Sequence, residues 1–340
     1  MKPQVLTASA FAPASVGNVG VGFDVLGLAL EGVGDIVDLT ANFESRDISI
    51  DRIVETRVTV GQEIPFDSKQ NTATAALLAM QQDLNLPFGF CVRIRKGIPL
   101  GSGMGGSAAS AVAAVVAAAK IVRRQKSHAG NSPAQEQLFA YALEGERIAA
   151  GAAHPDNVAP SLYGGLTLAS LHFSSQLSKP VFRISIPPGM VCVLVHPDVR
   201  VETKHARNIL RPDIPLRAYV EQSSLLAGFV LGCMTNNFSL ISASLRDQIV
   251  EPQREHLIPR FKEIKTAATA VPGCLGFSIS GSGPSVFALA RSRAAGEKIA
   301  KAIKKQFNLA GVDSTTYISR LPAPGAKLLA GQRETHGQNK

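Results

Sequence analysis

The sequence has no tryptophan, and aromatic residues make up only 6% of its 340 positions. Its core must therefore be built from alanine, valine, isoleucine and leucine. The hydrophobic fraction of 45% is typical of a packed globular protein and excludes a disordered chain. Cysteine is also scarce: the four cysteines, at positions 91, 192, 233 and 274, lack the paired spacing of zinc sites and dithiol redox motifs. We expect buried free thiols in a reducing cytosol.

Long apolar runs are missing as well. The N-terminal segment MKPQVLTASAFAP lacks the apolar centre of a signal peptide. The most apolar stretch, residues 108–121, is mostly alanine and is shorter than the ~20 residues that cross a bilayer. We therefore expect a cytoplasmic location and no membrane partner.

Positive charge is plentiful but concentrated near one end. The formal net charge is +9, and the last 50 residues hold 10 Lys and Arg against 3 Asp and Glu. This region offers only Phe307 and Tyr317 for base stacking, whereas nucleic-acid modules interleave such charge with aromatic residues. The pattern favours a solvent-exposed helix face, with an acidic partner as the alternative, and predicts no nucleic-acid partner.

The length suits two domains, and we place their boundary near residue 160, giving domains over 1–160 and 161–329. A disordered polar tail is expected over 330–340. Residues 3–60 are rich in strand patterns, with a loop over 13–24 and a hairpin over 47–60. The pattern breaks over 154–165. Helices are predicted over 68–85, 107–124, 134–152, 216–245, 261–273 and 294–307, and strands over 90–99, 181–188, 191–197, both ends of 274–290, and 314–318.

The most informative segment is PLGSGMGGSAAS, residues 99–110, which lies between a predicted strand and a predicted helix. It contains no lysine, which excludes a Walker loop. Gly101, Gly103 and Gly106 match the spacing of a dinucleotide fingerprint, but the acid required about 20 residues later is absent. The remaining interpretations are a backbone anion site at a helix N-terminus and a tightly packed glycine turn.

This segment resembles the second motif of the GHMP kinases, P-x-x-x-G-L-G-S-S-A-A. Residues 13–30, PASVGNVGVGFDVLGLAL, and residues 278–289, SISGSGPSVFAL, resemble the first and third motifs, in the right order. The resemblance implies a two-domain α+β fold, with an N-terminal domain of the ribosomal S5 domain 2 type and a ferredoxin-like C-terminal domain. It also implies ATP and Mg²⁺ as cofactors. The implied nucleotide-binding residues are Asn71, Pro99, Gly101, Ser102, Gly103, Met104, Gly105, Gly106, Ser107 and Ala108.

Four stretches are similar to homoserine kinases in particular: NVGVGFDVLG, HPDNVAPSLYGG, ETKHARNIL and EPQREHLIPRF. By this resemblance Asn18 and Asp24 bind the ammonium and hydroxyl end of L-homoserine, and Arg207 and Arg254 clamp its carboxylate. The remaining implied substrate residues are His154, Thr203, Gly281, Ser282 and Gly283. Planar guanidinium groups suit a carboxylate, and carboxylate or amide oxygens suit an ammonium. Taken singly, each residue also has an ordinary structural explanation, such as a surface arginine or a helix cap.

The resemblance assigns the metal to Glu146 and a loop serine. Because Gly106 replaces the first of the family's two serines, we expect Ser107 to be the ligand, with Ser102 or a water as alternatives. Asp156 is a possible catalytic base and Asn157 a polarising residue. Catalysis by positioning alone is also open, since phosphoryl transfer depends mainly on positioning and electrostatics.

The sequence thus predicts phosphorylation of homoserine in threonine biosynthesis, by a protein expected to form a homodimer. Two alternatives stay open: a kinase for another small alcohol such as mevalonate or a sugar, and a non-catalytic amino-acid-binding protein of the same fold.

Overall fold

The computed structural model describes residues 6–55, 64–125 and 132–330, and the structural statements below concern these ranges. The strands are β1 (Thr7–Gly17), β2 (Leu26–Asn42), β3 (Ile48–Glu55), β4 (Gly89–Lys96), β5 (Leu166–Ala169), β6 (Val181–Ile184), β7 (Val191–Pro197), β8 (Cys274–Ile279), β9 (Val286–Ala290), β10 (Ser314–Arg320) and β11 (Lys327–Leu328). The helices are α1 (Thr72–Asp83), α2 (Gly106–Arg124), α3 (Gln135–Ala150), α4 (Pro155–Tyr163), α5 (Leu171–Gln176), α6 (Thr203–Asn208), α7 (Leu216–Met234), α8 (Phe238–Ser244), α9 (Glu251–Arg254), α10 (Phe261–Thr269) and α11 (Arg293–Leu309).

The first sheet has seven strands, with β11, β1, β2, β4 and β3 side by side in that order. Its pairs are antiparallel except β3 with β4, which are parallel and are connected through α1. Strand β2 is 17 residues long, so one end pairs with β4 and the other with β5, which in turn pairs with β6.

Alternating side chains bury one face of this sheet under α2. In β4, Phe90, Val92 and Ile94 are buried as predicted, while Arg93 between them is exposed. Helix α2 consists largely of alanine and valine and packs on β1, β2, α1 and α3. Among the described residues α2 is the one helix long and apolar enough to cross a membrane, and 72% of its apolar window is buried inside the fold. Small side chains on all sides let this helix sit in the middle of the core.

The second sheet is fully antiparallel, in the order β10, β7, β9, β8. Helices α10 and α11 cover it, and α11 buries Ile299, Ile303 and Phe307 against it. Its lysines at positions 298, 301, 304 and 305 are exposed, so the basic residues lie on the solvent side of α11 as predicted.

Strands β5, β6 and β11 follow residue 160 in the chain but join the first sheet. Main-chain pairing therefore continues across residue 160, and the domain boundary placed there remains a prediction. The predicted tail over 330–340 lies outside the described residues except for Ala330.

Two local predictions need correction, and a third is only partly described. The segment over 154–165 is mostly helical, because α4 begins at Pro155, whose missing N–H is harmless at the first position of a helix. The predicted loop over 13–24 starts late, since β1 continues to Gly17. The predicted hairpin over 47–60 stays a prediction: β3 forms part of it and pairs in parallel with β4, while residues 56–63 lie outside the described residues.

Candidate active site

A cavity of about 300 Å³ is lined by residues from both halves of the chain. Two predicted site residues, Ala108 and Gly283, are buried and do not line it. The other predicted residues all line it: Asn18, Asp24, Asn71, Pro99, Gly101, Ser102, Gly103, Met104, Gly105, Gly106, Ser107, Glu146, His154, Asp156, Asn157, Thr203, Arg207, Arg254, Gly281 and Ser282.

The glycine loop enters α2 through left-handed backbone conformations. Gly101, Gly103 and Gly105 have φ angles of 61°, 70° and 66°, which side chains disfavour. Gly105 is the N-cap of α2 and has no side chain with which to cap the first N–H groups of the helix. Those groups have no intrahelical acceptor and carry the positive end of the helix dipole. The loop thus presents an anion site at the cavity wall.

The three glycine-rich segments contact one another here. The Ser280 hydroxyl donates to the Gly103 carbonyl at 2.7 Å, which joins the third segment to the second. The Gly281 N–H donates to the Gly17 carbonyl at 3.1 Å, and the Asn18 side chain donates to the Gly281 carbonyl at 2.9 Å. These contacts, between residues at least 177 positions apart, join the segments into one continuous wall.

Ser107 and Glu146 are brought together as the sequence predicted. The Ser107 hydroxyl lies 2.8 and 2.9 Å from the two carboxylate oxygens of Glu146. Glu146 is buried, and Nδ1 of His154 lies 3.3 Å from its Oε1. Burial lowers the pKa of His154, but the hydrogen bond and charge of Glu146 outweigh it and raise that pKa above its usual value. A buried carboxylate and a hydroxyl provide the hard oxygen donors that Mg²⁺ prefers.

Asp156 and Asn157 lie in the first turn of α4, beside the glycine loop. Oδ2 of Asp156 accepts the Asn18 N–H at 3.0 Å, whereas its buried Oδ1 has no hydrogen-bond partner among the described residues. Burial, together with the negative charge of Asp24, raises the pKa of Asp156 to about 7. Asn157 accepts the Ser15 hydroxyl at 2.9 Å. A carboxylate with this pKa is suited to proton transfer near neutral pH.

Asp24 and Arg207 form a two-pronged ion pair across the cavity. Nη1 and Nη2 of Arg207 lie 2.9 and 2.8 Å from the carboxylate oxygens of Asp24. Asp24 has a φ of 58°, and its N–H donates to Oδ1 of Asn18 at 3.1 Å. The turn between β1 and β2 therefore aims this carboxylate at α6, where Arg207 lies one helical turn after Thr203.

Arg254 is held beside Arg207 by backbone carbonyls. Its Nε donates to Ala206 at 2.9 Å and its Nη1 to Gly281 at 3.1 Å. Burial lowers the pKa of Arg254 to about 10, and the charge of Arg207 adds to the effect. The guanidinium still carries its charge at neutral pH. Thr203 lies nearby, with its hydroxyl 3.3 Å from that of Ser282.

Asn71 and Met104 have visible structural functions in addition to lining the cavity. Asn71 caps α1 by accepting the Ala73 N–H at 3.0 Å, and its amide donates to the Pro65 carbonyl at 3.0 Å. The Met104 side chain is fully buried, and its carbonyl accepts the Ser15 N–H at 3.0 Å. Replacing the family's leucine by this residue of similar volume leaves the core filled.

A buried ion pair that the sequence did not predict lies beneath the glycine loop. Lys96, at the end of β4, is paired with Asp35 of β2 and donates to the Gly106 carbonyl at 2.8 Å and to Ser110 at 2.9 Å. Asp35 also accepts the N–H groups of residues 97 and 98 at 3.0 and 3.2 Å. The signal was available: both charges occupy inward positions of alternating strands.

Phe23 and Ser15 were also missed, although both lie inside the first glycine-rich segment. Phe23 lines the cavity, and the Cζ atoms of Arg207 and Arg254 lie over its ring. Ser15 is fully buried and holds Asn157 and the Met104 carbonyl. Only the fold reveals these contacts, because they join residues more than 80 positions apart.

Comparison with known proteins agrees with this geometry. The model described as GHMP kinases N terminal domain matches residues 71–165, and that described as GHMP kinases C terminal matches residues 225–309. A homoserine kinase of Xylella fastidiosa (strain M12) is 43% identical over 327 residues, covering 96% of this chain and 95% of the relative. The chain belongs to the homoserine kinase family of the GHMP kinases.

Other homoserine kinases show the same full-length match. That of Chloroherpeton thalassium is 37% identical and covers 94% of this chain and 98% of the relative. The crystal structure of homoserine kinase from Cytophaga hutchinsonii superposes with a TM-score of 0.86 at 40% identity, covering 95% of this chain and 97% of that one. A mevalonate kinase of L. major, at 16% identity and a TM-score of 0.66, shares the fold. The predicted α+β GHMP kinase fold is confirmed.

Proposed function

We propose that this protein transfers the γ-phosphoryl group of ATP to the hydroxyl of L-homoserine, giving O-phospho-L-homoserine for threonine biosynthesis. One observation carries the proposal: a single cavity joins a backbone anion site at α2 to a carboxylate and two arginines that match a zwitterionic amino acid. Membership of the GHMP kinases provides the phosphoryl donor, ATP. The names of the full-length relatives provide the acceptor.

The glycine loop binds the phosphates. The N–H groups of Gly106, Ser107 and Ala108 open α2 and supply donors and the positive end of its dipole. Lys96 holds the carbonyl of Gly106 from below and so fixes the orientation of the first turn. The loop needs no lysine of its own, because backbone donors do most of the binding.

Mg²⁺ fits the Ser107 and Glu146 pair, since both offer oxygen donors within hydrogen-bond distance of each other. Magnesium usually takes one or two protein ligands and fills its other positions with phosphate and water. When bound, the ion neutralises phosphate charge. His154 contacts Oε1 of Glu146 and keeps this carboxylate turned toward the loop serine.

Homoserine lies at the opposite end of the cavity. Its carboxylate pairs with Arg207 and Arg254, and its ammonium pairs with Asp24 and the side-chain oxygen of Asn18. The two charges of the substrate replace the ion pair that Asp24 and Arg207 make with each other. This orientation directs the hydroxyl toward Asp156, between the amino-acid end and the glycine loop.

The reaction is an in-line displacement at the γ-phosphorus. The homoserine oxygen forms the new P–O bond, the bond to the β-phosphate oxygen breaks, and ADP leaves. Oδ1 of Asp156, buried without a partner, takes the hydroxyl proton. Asn157 polarises the same hydroxyl, and the remaining acceleration comes from positioning.

The deciding experiment is an ADP-release assay with homoserine, mevalonate, galactose and serine as acceptors. We expect turnover with homoserine and kcat/KM values at least about a hundredfold lower with mevalonate and galactose, since their binding leaves Asp24 without an ammonium. Preference for another acceptor would contradict the substrate. Homoserine binding by calorimetry without any turnover would indicate the amino-acid-binding alternative. The homodimer and the cytoplasmic location remain predictions.

A further inference from the structure

Phe23 lies against both arginines that we assign to the substrate carboxylate. The Cζ atom of Arg207 is 5.2 Å from the centroid of its ring, and that of Arg254 is 5.5 Å away. A guanidinium within about 6 Å of an aromatic face is attracted by the negative potential of that face. One ring therefore attracts both cations.

This contact offsets the repulsion between the two arginine side chains. Two guanidinium groups must converge to grip one carboxylate, yet they repel each other before it arrives. Arg207 has Asp24 as its counterion, whereas the hydrogen bonds of Arg254 go to the backbone carbonyls of Ala206 and Gly281. An aromatic face stabilises both cations without the full negative charge that would compete with the substrate.

The turn that presents Asp24 also fixes Phe23. The Gly22 N–H donates to the Asn18 carbonyl at 2.9 Å, and the Leu26 N–H donates to the Gly22 carbonyl at 2.9 Å. A side chain at position 22 would collide with Leu26, so this turn requires glycine. The ring is consequently held next to the ammonium-binding carboxylate, with freedom to move only about its side-chain bonds.

We propose that Phe23 is a positioning residue that holds Arg207 and Arg254 together for the substrate carboxylate. It acts through the arginines and does not touch the reacting groups. This inference rests on the proposed function, because it assigns the two arginines to the carboxylate of homoserine.

The test compares Phe23→Leu with wild type on two ligands. L-homoserine carries the carboxylate, and 3-aminopropan-1-ol is the same molecule without it. We expect Phe23→Leu to raise the KM for homoserine about five- to thirtyfold, from the loss of two cation–π contacts. The kcat and the KM for ATP should stay within about twofold. The inhibition constant of 3-aminopropan-1-ol should also stay within about twofold, because this ligand does not use the arginines.

Two further variants separate positioning from structure. Phe23→Tyr keeps the aromatic face and should restore the KM to within about threefold of wild type. Phe238→Leu removes a cation–π contact with Arg291 at 4.6 Å, outside the cavity, and should leave every constant unchanged. If Phe23→Leu proves unstable by thermal unfolding, Phe23→Met provides the same comparison.

Two results would overturn the inference. One is an unchanged KM for homoserine in Phe23→Leu. The other is an equal loss with homoserine and 3-aminopropan-1-ol, which would mean that the ring packs on the carbon chain. Calorimetric binding of both ligands distinguishes a failure of the role proposed for Phe23 from a failure of the proposed reaction. If wild type binds homoserine without phosphorylating it, the proposed function fails while the binding comparison still decides the role of Phe23.

Discussion

Arg207 and Asp24 form an ion pair with each other in this structure. Arg207 thus contacts a carboxylate, and Asp24 contacts a cation, as we propose that each does in the substrate complex. The Asp24 carboxylate occupies both prongs of the Arg207 guanidinium at 2.9 and 2.8 Å. Hydrogen bonding with Asp24 accordingly raises the pKa of Arg207. In the proposed complex homoserine separates the pair, and its ammonium and carboxylate restore both charge contacts. A ligand with only one of these charges leaves one partner unsatisfied.

The first prediction concerns the carboxylate clamp. Arg207→Ala should raise the KM for homoserine about ten- to a hundredfold, the equivalent of one charge-assisted hydrogen-bonded contact. The KM for ATP should change by less than about threefold, because we propose that the nucleotide binds at the glycine loop. Steady-state kinetics with each substrate varied in turn measures both. Arg200→Ala, an exposed arginine outside the cavity, is the control. Equal effects on both substrates would contradict the assignment.

The second prediction concerns the metal. Glu146→Gln should raise the Mg²⁺ concentration for half-maximal activity about tenfold or more, since it removes the charged donor beside Ser107. A magnesium titration at saturating ATP and homoserine measures this. Glu144→Gln lies on the same helix but pairs with Arg147 at the surface, so it should match wild type. An unchanged magnesium requirement in Glu146→Gln would exclude this carboxylate as a ligand.

The third prediction concerns pH. Because burial raises the pKa of Asp156 to about 7, its basic form accumulates only as the pH rises through that value. The kcat/KM for homoserine should therefore rise with pH up to about 7 and then level off. Asp156→Asn should remove this limb and lower kcat at pH 8 about a hundredfold or more. Persistence of the limb in the variant would exclude Asp156 as the base.

The same carboxyl links pH to stability. Folding raises the pKa of Asp156 from the ordinary value of 3.8 to about 7, so the folded state favours the protonated carboxyl. The stability that this shift contributes is fully present below pH 3.8 and is lost as the pH rises through about 7. In urea unfolding, the free energy of unfolding of wild type relative to that of Asp156→Asn should fall between pH 3.8 and about 7. A constant difference between the two proteins would contradict the shifted pKa.

The fourth prediction concerns the ion pair under the loop. Asp35→Ala leaves the buried Lys96 without its carboxylate and should lower the free energy of unfolding by about 3–5 kcal/mol. Asp51→Ala breaks the exposed pair with Arg93 and should cost less than about 1 kcal/mol. Adding Lys96→Met to Asp35→Ala should recover part of the loss, because the buried ammonium that lost its carboxylate is then removed. Denaturant unfolding of wild type and the three variants measures these free energies. Equal losses for Asp35→Ala and Asp51→Ala would contradict the prediction.

The sequence indicated the site more completely than the fold around it. Motifs of glycine and polar residues resemble a known family residue by residue. That resemblance alone was enough to place Ser107 and Glu146 in the same site. The helix over Pro155–Tyr163 was not, because its two prolines and terminal glycines resemble a loop. Its first-turn proline replaces an N–H that would have had no intrahelical acceptor.

Contacts that depend on tertiary geometry escaped prediction for a different reason. Lys96 continues the inward alternation of Phe90, Val92 and Ile94, yet its partner Asp35 lies on another strand, and only the register of the sheet pairs them. Phe23 gave no signal beyond its position next to Asp24. Strand β11 is two residues long, and nothing in its sequence distinguishes it from a loop.

That short strand determines when the first sheet can be completed during synthesis. Ala10 and Phe11 of β1 pair with Leu328 and Lys327, and the Leu329 N–H donates to the Ser9 carbonyl at 2.8 Å. One edge of the first sheet, whose strand β4 leads into the glycine loop, is therefore closed by residues made more than 300 positions later. A growing chain exposes the hydrogen-bonding edge of β1 until residues 327 and 328 have been made, so the protection of this edge from aggregation comes late.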